Sequence, residues 1–170
     1  MEFLPITSAE DPRVQEIYTS YTTTFPADEQ RDQKHFLGLF TNPHVKFMSV
    51  IHESEEVGYL ILWELSSFVF VEHFEVFERF RSKKLGSTIM NHLSESYPKI
   101  ILEIEPADSG EDASRRYSFY QRNNFSLIDT THVQPSYGEG KKSLNLWLLA
   151  NYTPENLEEA KREILDIIYH

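Results

Sequence analysis

Between Phe68 and Glu105 the hydrophobic period changes twice, from strand to helix and back to strand, and this constrains the fold more than any other feature of the chain. Phe68–Val76 is rich in β-branched and aromatic residues. Leu85, Ile89, Leu93 and Tyr97 then recur at every fourth position, one stripe of a helix, until Pro98 stops it. Over Lys99–Glu105 alternation returns: Ile100, Leu102 and Ile104 share one face, and Ile101, Glu103 and Glu105 share the other. Strands that alternate with helices in this way call for an α/β fold built on a mixed sheet.

The flanking segments extend the same architecture. Residues 3–8 read as a short first strand, and Asp11-Pro12 as a cap and first helical residue ahead of Val14, Ile17, Tyr18 and Tyr21. A second helix is expected from about Asp28 to Phe40, ended by Asn42-Pro43. Val45–Ile51 and Val57–Glu64, joined by the polar turn Glu53–Glu56, form a hairpin candidate. Asp112–Arg122 reads as a helix after a loop at 106–111. Phe125–Gln134 and Leu144–Leu149 read as antiparallel strands around Tyr137-Gly138-Glu139-Gly140. Thr153-Pro154-Glu155 opens a C-terminal helix over 153–169, with Leu157, Ala160, Ile164, Leu165 and Ile168 on its apolar face. With 170 residues and no linker or repeat, a single domain over 1–170 is expected.

Composition narrows the function. The net charge of −11 repels phosphate backbones and argues against nucleic acid as a partner, while suiting a cationic acceptor such as an amine. The absence of cysteine removes disulfides, thiolate metal ligands and a cysteine nucleophile. The seven histidines lack zinc-site spacing, so no metal is expected. The N-terminal MEFLPITSAEDPR has no basic segment followed by an apolar run, and no stretch approaches a membrane span. A cytoplasmic protein with no membrane partner is the expectation.

Against this acidic background, Arg79, Arg81, Lys83 and Lys84 crowd four cations into six residues. They lie where a strand ends at Val76 and a helix begins near Lys83. A helix N-terminus presents unpaired N–H groups and about half a positive charge, which suits pyrophosphate. Gly86 would let a phosphate approach the backbone closely. A non-glycine residue at Lys84 is acceptable there if its φ is negative.

Glu72-His73-Phe74-Glu75-Val76, followed after a turn by Arg81-x-x-Lys84-x-Gly86-Ser87, resembles motif A of the GNAT superfamily, Gln/Arg-x-x-Gly-x-Gly/Ala. Lys84 replaces the first glycine. Phe119-Tyr120-Gln121-Arg122-Asn123-Asn124-Phe125 resembles motif B of the same family, with Asn124 in place of its glycine. Asn124 is expected as a left-handed helix cap, where Asn is second only to Gly. The resemblance covers roughly residues 45–149.

The resemblance implies the GNAT fold, a central, mostly antiparallel sheet with two splayed strands flanked by helices, and N-acetyl transfer from acetyl-CoA to a primary amine of a small molecule or an amino-acid-like acceptor. The alternative is a degenerate acyl-CoA-binding or regulatory module. Phe74 and Val76 would hold pantetheine, and Arg81, Ser82, Lys83, Lys84, Leu85, Gly86 and Ser87 the pyrophosphate. Tyr120 falls on the motif B tyrosine that protonates the departing thiolate. Glu72 is the candidate base: it is expected to share a face with Phe70 and Phe74, a lone carboxylate among apolar groups with a raised pKa. His73, placed on the opposite face, is the runner-up. Glu103, Glu105 and Tyr137 are candidates for acceptor binding, with Trp63, Glu64 and the loop 135–142 beside them. The protein is expected as a monomer or homodimer.

Overall fold

The computed structural model describes residues 1–169. Its strands are β1 (Glu2–Pro5), β2 (Val45–His52), β3 (Glu55–Glu64), β4 (Val69–Val76), β5 (Ile100–Ile104), β6 (Ser126–Gln134) and β7 (Leu144–Ala150). Its α-helices are α1 (Pro12–Thr24), α2 (Gln33–Gly38), α3 (Leu85–Ser96), α4 (Glu111–Arg122) and α5 (Leu157–Ile168). The strands form one sheet in the order β1-β2-β3-β4-β5-β7-β6. Every neighbouring pair is antiparallel except β4 and β5, which the crossover helix α3 joins in parallel.

Both faces of the sheet are covered. Tyr59, Leu60, Ile61 and Leu62 of β3 are all 0 % exposed although they point alternately up and down. On one face α1 sets Tyr21 against His73 and directs Ser20 and Thr24 to Glu75. On the other, α3 and α4 meet where Gly86 faces the Phe119 ring, and Tyr117 of α4 packs on Trp147 of β7. A Cβ at Gly86 would stand 3.2 Å from that ring, so the glycine sets how closely the two helices approach.

Two expected helices differ from the structure. The 28–40 helix is broken: a single 3-10 turn spans Ala27–Glu29, Gln30 is extended, and α2 starts afresh with Asp32 accepting from His35 N–H at 2.8 Å. The intervening Arg31 gives its backbone N–H to the Tyr21 hydroxyl at 2.6 Å, and this tertiary contact holds the chain extended against helix propensity. The C-terminal helix begins three residues later than its Thr153-Pro154 signal. Asn156 is the cap, its side chain accepting from Glu159 N–H at 3.1 Å, and Glu158 and Glu159 lie in the first turn.

Candidate active site

The site forms where β4 and β5 part. They pair only through Val69–Ile100, Phe70–Ile101 and Val71–Leu102, although β4 continues to Val76 and β5 to Ile104. Beyond Val71 the edge of β4 is open toward β5. The Phe77 N–H bonds to Val57 O at 2.9 Å, and antiparallel alternation from there turns the peptide groups of Phe74 and Val76 away from β3, into the gap. Arg81 Nε occupies the Val76 carbonyl at 3.0 Å.

A β-bulge sets the side-chain directions at this point. Ile61 pairs with His73 and Leu62 with Val71, so Glu72 is the extra residue. The bulge reverses the alternation: Glu72 and His73 both point to the α1 side, and Phe74 points to the α3–α4 side. The expected common face of Phe70, Glu72 and Phe74 therefore does not exist, and His73 is not opposite Glu72.

Glu72 is also not a lone carboxylate. Arg31 binds its Oε1 at 2.8 Å, the Tyr137 hydroxyl donates to the same oxygen at 2.7 Å, and Trp63 Nε1 donates to Oε2 at 2.7 Å. Burial pushes its pKa up, but the Arg31 charge and these donors hold it below the ordinary carboxylate value. This overturns the expected raised pKa. His73, buried edge-on against Tyr21 and Phe25 beside the cavity that opens from the gap, is pushed down to about 4 by burial and stays neutral. Trp63 is a core residue, and Glu64 pairs with Lys46 at 3.5 Å, outside the site.

Two cavities open from the gap. The first, about 480 Å³, lies over the splayed ends of β4 and β5 and is lined by the carboxylates of Glu29, Glu72, Glu75, Glu103, Glu105 and Asp112, with Tyr120 and Tyr137. Glu103 accepts from His132 Nε2 at 2.8 Å and from the Tyr169 hydroxyl. Glu105 pairs with Arg116 at 3.2 Å. Loop 135–142 closes this end: Lys142 N–H bonds Asp28 Oδ1 at 2.9 Å, and Lys141 Nζ bonds Gln30 O. The Tyr137 phenol is pushed well above its ordinary value, by burial first and then by Glu72.

The second cavity, about 820 Å³, runs between α3 and α4 and is lined by Phe74, Val76, Arg81, Ser82, Lys84, Leu85, Gly86 and Ser87. Arg115, Arg116 and Arg122 of α4 add positive charge that the sequence reading missed, although Arg115 and Arg122, seven residues apart, recur on one helix face. Lys83 is not among the lining residues; its ammonium lies over the Phe80 ring, 5.4 Å from the centroid. The α3 N-terminus has no side-chain cap, and its first intrahelical bond runs from Thr88 N–H to Lys84 O, which leaves the N–H groups of Leu85, Gly86 and Ser87 outside the helix ladder. Lys84 has φ 60 and Ser82 φ 65, so the negative φ expected at Lys84 is wrong: the backbone has positive φ at both residues. Alternate left-handed and right-handed residues turn successive N–H groups toward one point, an anion nest.

Tyr120 and Arg116 line both cavities, as do Phe74, Val76 and Arg81. Burial raises the Tyr120 phenol to about 12, with Arg116 opposing. Asn124, at φ 66, terminates α4 in the left-handed region as expected, and Phe125 N–H closes back on Tyr120 O at 3.0 Å, fixing the tyrosine at the junction.

The sequence pattern of the acetyltransferase (GNAT) family matches residues 12–125, more than half of the chain. This chain belongs to the GNAT acetyltransferase family. GNAT relatives agree with the fold described above. YjbC of Bacillus subtilis (strain 168), which carries a provisional acetyltransferase name, is 28% identical over 156 residues, 88% of this chain and 75% of its own. A Bacteroides thetaiotaomicron protein assigned to the GNAT family superposes with a TM-score of 0.92 at 26% identity, over 99% of this chain and 98% of its own. A GNAT acetyltransferase from Elizabethkingia anophelis, solved with acetyl-CoA bound, shares the fold at a TM-score of 0.59 and 13% identity, over 88% and 95% of the two chains. Among the described residues no helix is long and apolar enough to cross a membrane.

Proposed function

We propose that this GNAT protein transfers an acetyl group from acetyl-CoA to a primary amine of a small or amino-acid-like acceptor. The observation that carries the reading is the position of Tyr120, shared by a basic groove ending at a helix N-terminus and a cavity lined by carboxylates. The Elizabethkingia relative binds acetyl-CoA, and the groove here has the chemistry for the same molecule. Its pyrophosphate fits the N–H groups of Leu85–Ser87 with Arg81 and Lys84, and its pantetheine amides fit the peptide edge of Phe74 and Val76. The thioester then lies beside Tyr120, its carbonyl oxygen within reach of the Phe74 N–H, which would steady the charge that develops there.

The acidic cavity suits an ammonium on its way to the thioester. Glu72, held ionised and neutralised by Arg31, keeps Tyr137 in place without itself being free to take a proton. The lone pair of the amine attacks the thioester carbon, the C–N bond forms, and the C–S bond breaks. The departing sulfur has a pKa of about 8.5, and Tyr120, which stays protonated, gives it a proton.

Acetyl-CoA titrated into the protein by calorimetry should bind saturably. Amines should then release free thiol from it. Tyr120→Phe should keep the affinity and lower turnover about 100-fold or more. Binding without transfer to any amine would leave an acyl-CoA-binding module in place of the enzyme.

A further inference from the structure

The carboxylates of the first cavity are not equivalent. Arg31, Tyr137 and Trp63 fill the oxygens of Glu72. Glu75 turns to Ser20, Thr24 and Arg81 on the α1 side. His132 and Tyr169 occupy Glu103, Arg116 pairs with Glu105, and Arg115 with Asp112. Glu29 alone, among the described residues, lines the cavity with a carboxylate that makes no side-chain hydrogen bond or ion pair.

Its backbone is nonetheless held on both sides. The Asp28 carbonyl accepts from Gln134 Nε2 at 3.2 Å, and the Asp28 carboxylate accepts from Lys142 N–H. The Gln30 amide donates to Thr22 O at 3.0 Å and to Phe25 O, and Arg31 is anchored on Glu72. A fixed backbone with an uncommitted side chain on the wall of the acceptor cavity is what a proton acceptor needs.

We propose that Glu29 is the general base of the transfer, receiving the proton of the incoming ammonium. The assignment rests on the acetyl-transfer reading and replaces Glu72 in that role. Glu29 Oε takes one proton from the acceptor's ammonium, directly or through one water. The freed lone pair forms the C–N bond, a second N–H proton leaves as the amide forms, and the sulfur takes the proton of Tyr120 as the C–S bond breaks. That second proton restores Tyr120 through solvent, and Glu29 releases its own to water. Burial pushes the Glu29 carboxyl up to about 7, Glu105 and Glu103 add to the shift, and Arg116 opposes it. The other charged groups facing the cavity, Glu72, Glu75, Asp112 and Arg81, are already paired, and His73 on the same wall is neutral.

The experiment has two arms. In the first, thiol release from acetyl-CoA is followed with ethanolamine, spermidine, phenethylamine and lysine amide as acceptors, from pH 5.5 to 9. Wild type should show kcat/KM rising through a limb near pH 7; Glu29→Gln should bind acetyl-CoA as wild type does, lose that limb and fall about 100-fold or more. Glu29→Asp should recover part of the rate, and Glu105→Gln should move the limb to lower pH. An unchanged limb and rate in Glu29→Gln overturns the proposal. In the second arm, carboxyl carbon resonances of the wild-type protein are titrated by NMR, with Glu29→Gln assigning the signal. A Glu29 midpoint near 7 supports the assignment, and one near the ordinary 4.3 overturns it. If acetyl-CoA binds and none of the amines reacts, the amine-transfer reading fails, and this second arm still decides whether Glu29 is tuned as a base.

Discussion

Arg31 Nη2 lies 2.8 Å from Glu72 Oε1, joining a loop between two short helices to the bulge of the central strand, with the carboxylate side chain fully buried. Removing one member strands the other. Arg31→Met should destabilise the protein by about 3–5 kcal/mol, read as a lower denaturation midpoint in urea. Arg31→Met with Glu72→Gln should recover part of that loss. Because Glu72 has a lowered folded pKa, its stabilising effect is present above the unfolded value of about 4.3 and fades as pH falls through the lower folded one. The wild-type advantage over the double variant should therefore shrink only in that acid window.

His73 predicts a second pH dependence. The unfolded chain takes a proton on this imidazole at about pH 6.5, and the folded chain only at about 4. Between those values the unfolded state binds more protons, so stability falls as pH drops, by up to about 3 kcal/mol. His73→Phe, seated between Tyr21 and Phe25, should flatten the fall. Thermal melts from pH 7 to pH 4 would show it, and identical slopes in the two proteins would refute it.

Lys84 combines charge and backbone geometry. At φ 60, Lys84→Ala keeps the left-handed strain and loses the ammonium, while Lys84→Gly loses both. The glycine variant should be the more stable of the two by about 1 kcal/mol. If the groove holds pyrophosphate, both should lose the same factor in acetyl-CoA affinity. Equal stabilities would mean that the turn relaxes around alanine.

Gly58 is a steric requirement. A Cβ there would come within 2.0 Å of the Glu75 carbonyl oxygen across the β3–β4 pair. Gly58→Ala must push the strands apart and should cost about 1–3 kcal/mol or more, measured in urea. It should also weaken acetyl-CoA binding, since Glu75 lies between the two residues whose peptide edges line the groove. At Gly86 the neighbour is a side chain, Phe119, which can shift, so Gly86→Ala should cost less.

Much of this protein could be read from local pattern. The strand–helix–strand core, the hairpin, the Asp11-Pro12 cap and the left-handed Asn124 were legible because each follows from side chains a few positions apart. The segment around Lys84 was placed correctly as the approach to a helix N-terminus, but its φ was not, because the left-handed turn is imposed by the connection from β4 to α3 rather than by lysine itself.

The chemistry of the acidic cavity was decided elsewhere. One inserted residue in β4 turned Glu72 and His73 to the same side, and no alternation rule anticipates a bulge. The Arg31 that neutralises Glu72 is 41 residues away in a segment with helical composition, held extended by Tyr21. Glu29 sits two positions before it and looks in the sequence like any surface acid. Sequence by itself determined which segments become strands and helices, and that a helix N-terminus follows β4, because those depend on neighbours along the chain. Only the tertiary structure decided which carboxylates are paired and which one is left uncommitted, because ion pairing and desolvation depend on groups brought together from distant parts of the chain.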